Sequence, residues 1–302
     1  MSTNSVKQNI NQKLTQEQKM SIDGILEISK AEHIPLPNLL SGFFLENILE
    51  RFMTEDWNQT LCLKNTFNLG LEFYREQVQD CLEFYLVSDK ITFDIEEKAE
   101  RILTKSEDDS YSFSWSVVKE EVTTIDITAS WDRYHIPVKV KITELLTSEI
   151  YPVEKILDSG FYKKKKLPYL EFPVEIQLAE NVIEIFENLE LINTMEVYDM
   201  VYRILTLNSI EGRKIYQFFI DYFIDDDIDP WRKKWNIIVG YKSYGYMKKK
   251  WKSYTKKFKK EMVSWEEIIL MMEGFFTPIW NAIENDVIFF GDWMPNLKRF
   301  LD

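Results

Sequence analysis

The spacing of hydrophobic residues changes twice along this chain. Between about residues 60 and 150, apolar residues alternate with polar ones or form short runs, which is typical of β-strands. Before this region, and from residue 176 onward, apolar residues recur every three to four positions, which is typical of amphipathic helices. Strands in one region with helices on both sides predict an α/β (α+β) fold, in which a mixed sheet is flanked by helices and followed by a helical C-terminal part.

The same patterns place individual elements and domains. Strands are predicted at 61–63, 81–87, 111–118, 122–129 and 138–142, with the lysines of the last strand (VKVKI) on one face. Helices are predicted at 21–31, 39–52 and 95–103, the second of them capped by Asn38. The predicted organisation is a flexible lead-in at 1–20, an α/β core at 21–175 and a helical domain at 176–302.

Cysteine and histidine are rare in this sequence, with two of each. A secreted protein of 302 residues more often carries several cysteines, so Cys62 and Cys81 are expected to be reduced thiols. A zinc site would need these two cysteines and both histidines to converge, which their scattered positions disfavour. The first 20 residues hold no apolar signal-peptide core, and no apolar run reaches the roughly 20 residues that span a bilayer. We therefore expect a cytoplasmic protein without a membrane partner.

Five short segments follow one another in an order that resembles a known family. Leu63 to Phe84 reads LKNTFNLGLEFYREQVQDCLEF, and it is followed by TIDI at 124–127, VKVKI at 138–142, AEN at 179–181 and EVYDM at 196–200. The pattern is similar to that of the AbiEii/AbiGii abortive-infection toxins, which read LKGGT, a helix, R-x-S-x-D-L-D-F, KIDI, A-E-K and D-L-Y-D-L. The resemblance covers roughly residues 35–205, and the segment 264–282 also looks like the helix that ends many of these proteins.

This resemblance implies a nucleotidyltransferase-like core with Mg²⁺ and a nucleoside triphosphate as cofactors. An active member would transfer a nucleoside monophosphate to RNA or protein, and it would act in phage defence beside a cognate antitoxin. The acidic candidates for catalysis are Glu83, Asp126, Glu180 and Asp199, of which Glu83 and Asp126 would bind the metal. The candidates for nucleotide binding are Lys64, Asn65, Thr66 and Tyr198.

Several positions depart from the family's pattern. The glycine pair is Asn65-Thr66, the two aspartates of the second motif are Cys81 and Glu83, and the lysine of A-E-K is Asn181. The next carboxylate is Asp126 if TIDI matches the family's KIDI strand, whereas the register with VKVKI places Lys141 there. The alternative to an enzyme with altered chemistry is therefore an inactive pseudoenzyme that keeps the fold and binds nucleic acid or protein. In that case their helix would simply pack on the core, with Tyr198 buried and Asp199 capping the helix or forming a pair.

The segment 231–260 has the most unusual composition. It holds 12 of the chain's 37 Lys and Arg residues and none of its 50 Asp and Glu residues, with eight aromatic residues interleaved. Lysines beside exposed aromatics are typical of single-stranded nucleic-acid binding, so RNA such as tRNA is a candidate partner. The candidate contacts are Lys248, Lys249, Lys250, Lys252 and Lys256. Alternatively, the helical spacing of Trp251, Tyr254 and Phe258 predicts that these aromatics pack inward, leaving the lysines solvated or paired with the acidic run at 225–229.

Overall fold

The computed structural model describes residues 20–53, 61–64, 69–76, 78–88, 94–104, 110–146, 151–161, 166–223, 228–256, 258 and 262–301. The chain divides into two compact units, Met1–Phe172 (unit 1) and Pro173–Asp302 (unit 2), and each is described by itself. The predicted lead-in, apart from Met20, lies outside the described residues.

Unit 1 contains four helices and seven strands within its described residues. The helices are α1 (Ile22–Glu32), α2 (Leu36–Met53), α3 (Leu71–Glu76) and α4 (Ile95–Leu103). The strands are β1 (Leu61–Leu63), β2 (Cys81–Ser88), β3 (Ser112–Val118), β4 (Thr123–Trp131), β5 (Tyr134–Leu146), β6 (Val153–Asp158) and β7 (Lys166–Glu171). The strands predicted between 61 and 142 are confirmed, whereas β6 and β7 were not predicted.

The seven strands form one mixed sheet in the order β3-β4-β5-β2-β1-β7-β6. The pairs β2–β5 and β1–β7 are parallel, and the other neighbours are antiparallel. The predicted mixed α/β fold is therefore confirmed. Strand β5 lies between β4 and β2 and separates them.

Helix α2 packs on the sheet and supplies much of the core of unit 1. Its Phe43, Phe44 and Phe52 are at most 1 % exposed, and Phe52 stacks on Phe84 of β2. The prediction that Asn38 caps this helix is wrong, because α2 begins at Leu36 and Asn38 lies in its first turn. The buried Asn38 side chain instead donates to the carbonyl of Tyr74 at 2.7 Å, which ties α2 to α3.

Unit 2 is mainly helical, as its hydrophobic spacing predicts. Its helices are α5 (Val174–Asn188), α6 (Glu196–Leu207), α7 (Gly212–Tyr222), α8 (Ile228–Gly240), α9 (Gly245–Thr255) and α10 (Trp265–Glu284), with 3-10 turns at Leu189–Leu191 and Tyr241–Ser243. Strands β8 (Ile210–Glu211), β9 (Asp292–Met294) and β10 (Arg299–Leu301) form a small antiparallel sheet.

Aromatic side chains fill the core of unit 2. Phe186, Phe219 and Phe276 are fully buried, and the ring of Trp280 lies 5.5–5.6 Å from those of Phe186 and Phe219. Trp293 anchors the small sheet, because its indole N–H donates to the carbonyl of Leu205 at 2.8 Å. Among the described residues of the whole chain, no helix is both long and apolar enough to cross a bilayer.

Candidate functional site

Four charged residues share one face of the sheet in unit 1. Glu83 of β2 lies directly opposite Lys141 of β5, and Asp126 of β4 lies directly opposite Lys139 of β5. Directly paired residues project to the same side of a sheet, and alternate residues of a strand share a side. Glu83, Asp126, Lys139 and Lys141 therefore form one surface, called here the charged face.

The opposite face of the same strands is the core. Leu82, Val140 and Ile125 form one row across β2, β5 and β4, and each is fully buried. Period-two alternation thus forces the polar residues of VKVKI and TIDI onto the other side. The side chains of the charged face are 37–52 % exposed.

Each carboxylate of the charged face pairs with a lysine. Lys141 Nζ lies 3.3 Å from Glu83 Oε1, and Lys139 Nζ lies 3.3 Å from Asp126 Oδ1. The sequence left open whether TIDI or VKVKI supplies the residue next to Glu83. Lys141 of β5 pairs directly with Glu83, and Thr124 of β4 pairs with Lys141 from the other side. The neighbour of Glu83 in the sheet is therefore Lys141. Half-exposed ion pairs of this kind contribute little to stability. They place an ammonium group beside each carboxylate, so a ligand that approaches either carboxylate also meets a lysine.

Glu83 and Asp126 are separated by strand β5. Two strand spacings across the sheet and two residues along it put their backbones about 12 Å apart. Two carboxylate oxygens that bind one Mg²⁺ lie within about 3–4 Å of each other, because each Mg–O bond is about 2.1 Å. Both ion pairs would have to break before these carboxylates could approach a common metal. Among the described residues, no group of three Asp, Glu, His or Cys side chains is arranged to hold a metal ion.

Lys64 continues the charged face beyond the end of β1. Its backbone N–H donates to the carbonyl of Glu83 at 2.7 Å, and its ammonium lies 4.7 Å from the ring centroid of Tyr85. Asn65 and Thr66, the other predicted nucleotide contacts of this segment, lie outside the described residues. Cys81 is on the same face, and burial, assisted by the charge of Glu83, raises its pKa to about 12. The thiol is therefore protonated at neutral pH and unsuited to act as a nucleophile.

The other predicted acidic residues belong to unit 2. Glu180 is half-buried on α5. Asp199 on α6 is only 5 % exposed, and its Oδ2 accepts from Arg203 Nε at 3.1 Å and from the hydroxyl of Tyr254 at 3.0 Å. The charge of Asp199 is thus engaged in linking α6 to α9.

Tyr198, predicted to contact a nucleotide, is fully buried beside Trp265. Its hydroxyl has no hydrogen-bond partner among the described residues. Burial is the main reason that its pKa is raised. The position fits the packing alternative for this residue.

Part of the basic segment 231–260 pairs with acids other than those at 225–229. Three ion pairs link it to helix α10: Arg232 with Glu284, Lys242 with Glu273, and Lys248 with Glu266. The acidic run at 225–229 lies outside the residues whose side chains are described. Three of the 12 basic residues of this segment therefore link it to α10.

The five predicted RNA contacts fall into two groups. Lys248 pairs with Glu266, and Lys250 donates to the backbone carbonyls of Glu190 and Ile192. Lys249, Lys252 and Lys256 are exposed, and within the described part of the chain they have no acidic partner.

The aromatic residues of this segment also divide. Trp251 and Phe258 are buried as predicted, although α9 ends at Thr255 before Phe258, and Tyr254 is half-buried. Trp235 and Tyr241 are buried as well. Tyr244 and Tyr246 are instead 44 % and 49 % exposed. Tyr244 is the N-cap of α9 and Tyr246 lies in its first turn. Neither belongs to the set of aromatics whose helical spacing predicts burial.

Comparisons with known proteins identify no family. No protein-family model matches the sequence, and no curated protein matches it. The solved structure of JHP933 from Helicobacter pylori is similar with 8 % identity, over 84 % of this chain and 96 % of that one, at a TM-score of 0.49. MenT4, a nucleotidyltransferase toxin from Mycobacterium tuberculosis, is similar with 10 % identity, over 67 % and 73 % of the two chains, at a TM-score of 0.37.

A third solved structure, described as a nucleotidyltransferase from H. pylori, has 10 % identity over 82 % of this chain and 96 % of its own, with a TM-score of 0.35. Two of these three neighbours are thus nucleotidyltransferases by name. At these identities and TM-scores, the likeness says nothing about the chemistry of this chain. Membership of the AbiEii/AbiGii family stays a prediction.

Proposed function

We propose that this chain is a toxin-like protein with a nucleotidyltransferase fold that binds its ligands and does not transfer nucleotides. In this proposal, lysine–carboxylate pairs on the charged face stand where an active relative would hold Mg²⁺. The observation that carries the proposal is the contact of 3.3 Å between Lys141 Nζ and Glu83 Oε1.

The lysine changes what Glu83 can do. A carboxylate that binds Mg²⁺ needs hard oxygen neighbours, and a cation beside it lowers its affinity for a second cation. Here the nearest side chain across the parallel pair is an ammonium, and Asp126 has its own lysine. The cations of these two pairs supply the positive charge that a metal would otherwise bring.

Such a face favours an anionic ligand. Among the described residues of this face, three lysines stand beside two carboxylates: Lys64, Lys139 and Lys141 beside Glu83 and Asp126. Phosphate groups bind lysine as a point charge without needing a metal. We therefore expect a nucleotide to bind unit 1 in EDTA as well as in Mg²⁺.

Two assays test this function. In the first, radiolabelled nucleoside triphosphates are incubated with bulk tRNA and wild-type protein in Mg²⁺ or Mn²⁺, and we expect no label on RNA or protein. Label transfer by wild type that is lost in Glu83→Ala would overturn the proposal and support the transferase alternative with Mg²⁺ and a nucleoside triphosphate.

The second assay measures nucleotide affinity in EDTA. Lys141→Met should weaken binding by roughly tenfold, which corresponds to the loss of one charged contact. Lys119→Met is the matched control, because Lys119 is similarly exposed and also pairs with carboxylates, those of Asp94 and Glu96. Equal affinity of the two variants, or binding that requires Mg²⁺, would contradict a metal-free anion site.

RNA and a cognate antitoxin are the partners that belong to this proposal. The candidate RNA contacts in this proposal are Lys249, Lys252 and Lys256, because Lys248 and Lys250 are engaged within the protein. Replacing these three residues with alanine should lower RNA affinity at low salt and reduce the salt dependence of binding. A triple alanine variant at Lys119, Lys155 and Lys166 of unit 1 is the control, and equal RNA affinity of both triples would exclude this surface.

A further inference from the structure

A cleft in unit 2 combines a carboxylate with two tyrosine rings. It has a volume of about 470 Å³ and lies between the two 3-10 turns, where Glu190 comes from the first and Tyr241 and Ser243 come from the second. Ile237 and Tyr244 complete the side-chain lining. Among the described residues that line it, Glu190 is the one that carries a charge.

Glu190 carries the negative charge of this cleft. Its Oε2 accepts from the hydroxyl of Tyr241 at 2.7 Å, and this hydrogen bond lowers the pKa of Glu190, so that the group is ionised at neutral pH. Among the described residues it forms no ion pair. Lys250 donates to the backbone carbonyls of Glu190 itself and of Ile192 and lies 5.6 Å from the ring centroid of Tyr246, while Lys242 pairs with Glu273. Neither ammonium forms an ion pair with the Glu190 carboxylate.

Aromatic faces stand beside this charge. The rings of Tyr241 and Tyr244 lie 5.7 Å apart at an interplanar angle of 23°, and the ring of Tyr246 lies 6.0 Å from that of Tyr244. Tyr244 is 44 % exposed, so part of its ring is open to a ligand. The π-face of a tyrosine is electronegative and attracts cations.

The mouth of the cleft is open at two glycines. A Cβ atom placed on Gly240 or Gly245 would meet no other atom within 4 Å. Both glycines line the cleft, so a side chain that enters from outside meets no steric barrier at these positions. A side chain presented by another polypeptide would therefore meet no wall of the cleft at these two glycines.

We infer that this cleft binds a single cationic group, and that its occupant is the guanidinium of an arginine side chain on a partner protein. A guanidinium is planar, so it can stack on Tyr244 while it donates to the carboxylate of Glu190. An ammonium would gain the charge contact but lose the stacking. A neutral nucleobase could also stack, but it would leave the charge of Glu190 without compensation.

The inference is tested with small mimics of the side chain. N-acetyl-arginine methylamide is titrated into the full-length protein and followed by NMR or tyrosine fluorescence, beside the uncharged isostere N-acetyl-citrulline methylamide. We expect the arginine derivative to bind roughly tenfold or more tightly than the citrulline derivative, and more tightly than the lysine derivative. Equal binding of the arginine and citrulline derivatives would overturn the inference.

Two glutamates make a matched pair of variants. Glu190→Gln removes the charge but keeps an oxygen that can accept from Tyr241, and it should weaken binding of the arginine derivative by roughly tenfold or more. Glu187→Gln is the control, because Glu187 also accepts from a tyrosine hydroxyl, that of Tyr222 at 3.0 Å, but does not line the cleft. Unchanged circular dichroism and urea midpoints would show that both variants fold.

The two outcomes that refute the site are distinct. If Glu190→Gln and Glu187→Gln bind the arginine derivative equally well, the cleft does not recognise the cation. If guanosine monophosphate binds more tightly than the arginine derivative, and Tyr244→Ala removes that binding, the cleft recognises a nucleobase instead. Neither result depends on whether unit 1 transfers nucleotides.

Discussion

The same substitution should destabilise the protein at one of two adjacent lysines of α9 and have little effect at the other. Lys250 donates to the carbonyl of Glu190 at 3.2 Å and to that of Ile192 at 2.5 Å, whereas Lys249 is exposed and has no acidic partner within the described residues. Replacement by methionine keeps most of the aliphatic stem and removes the ammonium. The comparison of Lys250→Met with Lys249→Met therefore isolates the role of the charged group.

The magnitude follows from the contacts. A hydrogen bond to a charged group contributes about 1.5–3 kcal/mol, and the two acceptors follow a helix end where a cation is also favoured. Because Lys250 is only half-buried and one of its bonds is long, we take about 2 kcal/mol for both bonds together. Lys249→Met should change the free energy of unfolding by less than about 0.5 kcal/mol.

Urea unfolding followed by tryptophan fluorescence measures this difference, because most of the chain's tryptophans lie in unit 2. With a urea m-value of about 1–3 kcal/mol/M, Lys250→Met should lower the midpoint by roughly 1 M at an unchanged slope. Equal midpoints for the two variants would refute the structural role of Lys250. Lys250 would then again be a candidate for RNA contact beside Lys249, Lys252 and Lys256.

Three further predictions concern other contacts. Lys141→Asp places a second carboxylate beside Glu83 and should create a Mn²⁺ site that wild type lacks, detectable by electron paramagnetic resonance; no gain in bound Mn²⁺ would show that the neighbouring lysine is not what disfavours a metal there. Tyr254→Phe removes a donor to the buried carboxylate of Asp199 and should lower the free energy of unfolding by about 1–2 kcal/mol, with an unchanged urea midpoint counting against the contact. Cys81, with its pKa raised to about 12, should react with a thiol reagent at pH 8 roughly a thousandfold more slowly in the native protein than in urea, and similar rates would contradict a protonated thiol.

The fold was predictable where hydrophobic spacing carries the information. Strands β3, β4 and β5 alternate between a core side and an open side, and this alternation is visible in the sequence. Strand β2 is instead visible as an apolar run, because Phe84, Tyr85, Leu86 and Val87 are all buried. Strand β6 has no such signal, because nearly all its residues are exposed at the edge of the sheet, and Pro168 interrupts the pattern of β7. The prediction of Asn38 as a cap was wrong because it placed Pro37 before the helix. Pro37 instead lies in the first turn of α2, where a proline is tolerated, so the helix begins before Asn38.

The candidate site was predictable in its strands but not in its partners. The sequence places Glu83 and Asp126 on strands, yet which residue faces Glu83 depends on the register of β2 against β5, which no local pattern specifies. The ion pairs of the basic segment were missed for a similar reason. Glu266, Glu273 and Glu284 lie on α10, up to 52 residues from their partners, and only the packing of α8 and α9 on α10 brings the charges together.

Strand β5 links the fold of unit 1 to its proposed loss of chemistry. In VKVKI, the residues Val138, Val140 and Ile142 fill the core, and the alternation that buries them forces Lys139 and Lys141 onto the charged face. Without these lysines, Glu83 and Asp126 would need a metal or protons to offset their charges if a phosphate approached. With them, the face carries its own compensating cations. Lysines at the open positions of such a strand can thus favour anion binding over metal binding without any change in the sheet. For the same reason, the Lys141→Asp variant is expected to alter metal binding while leaving the fold intact.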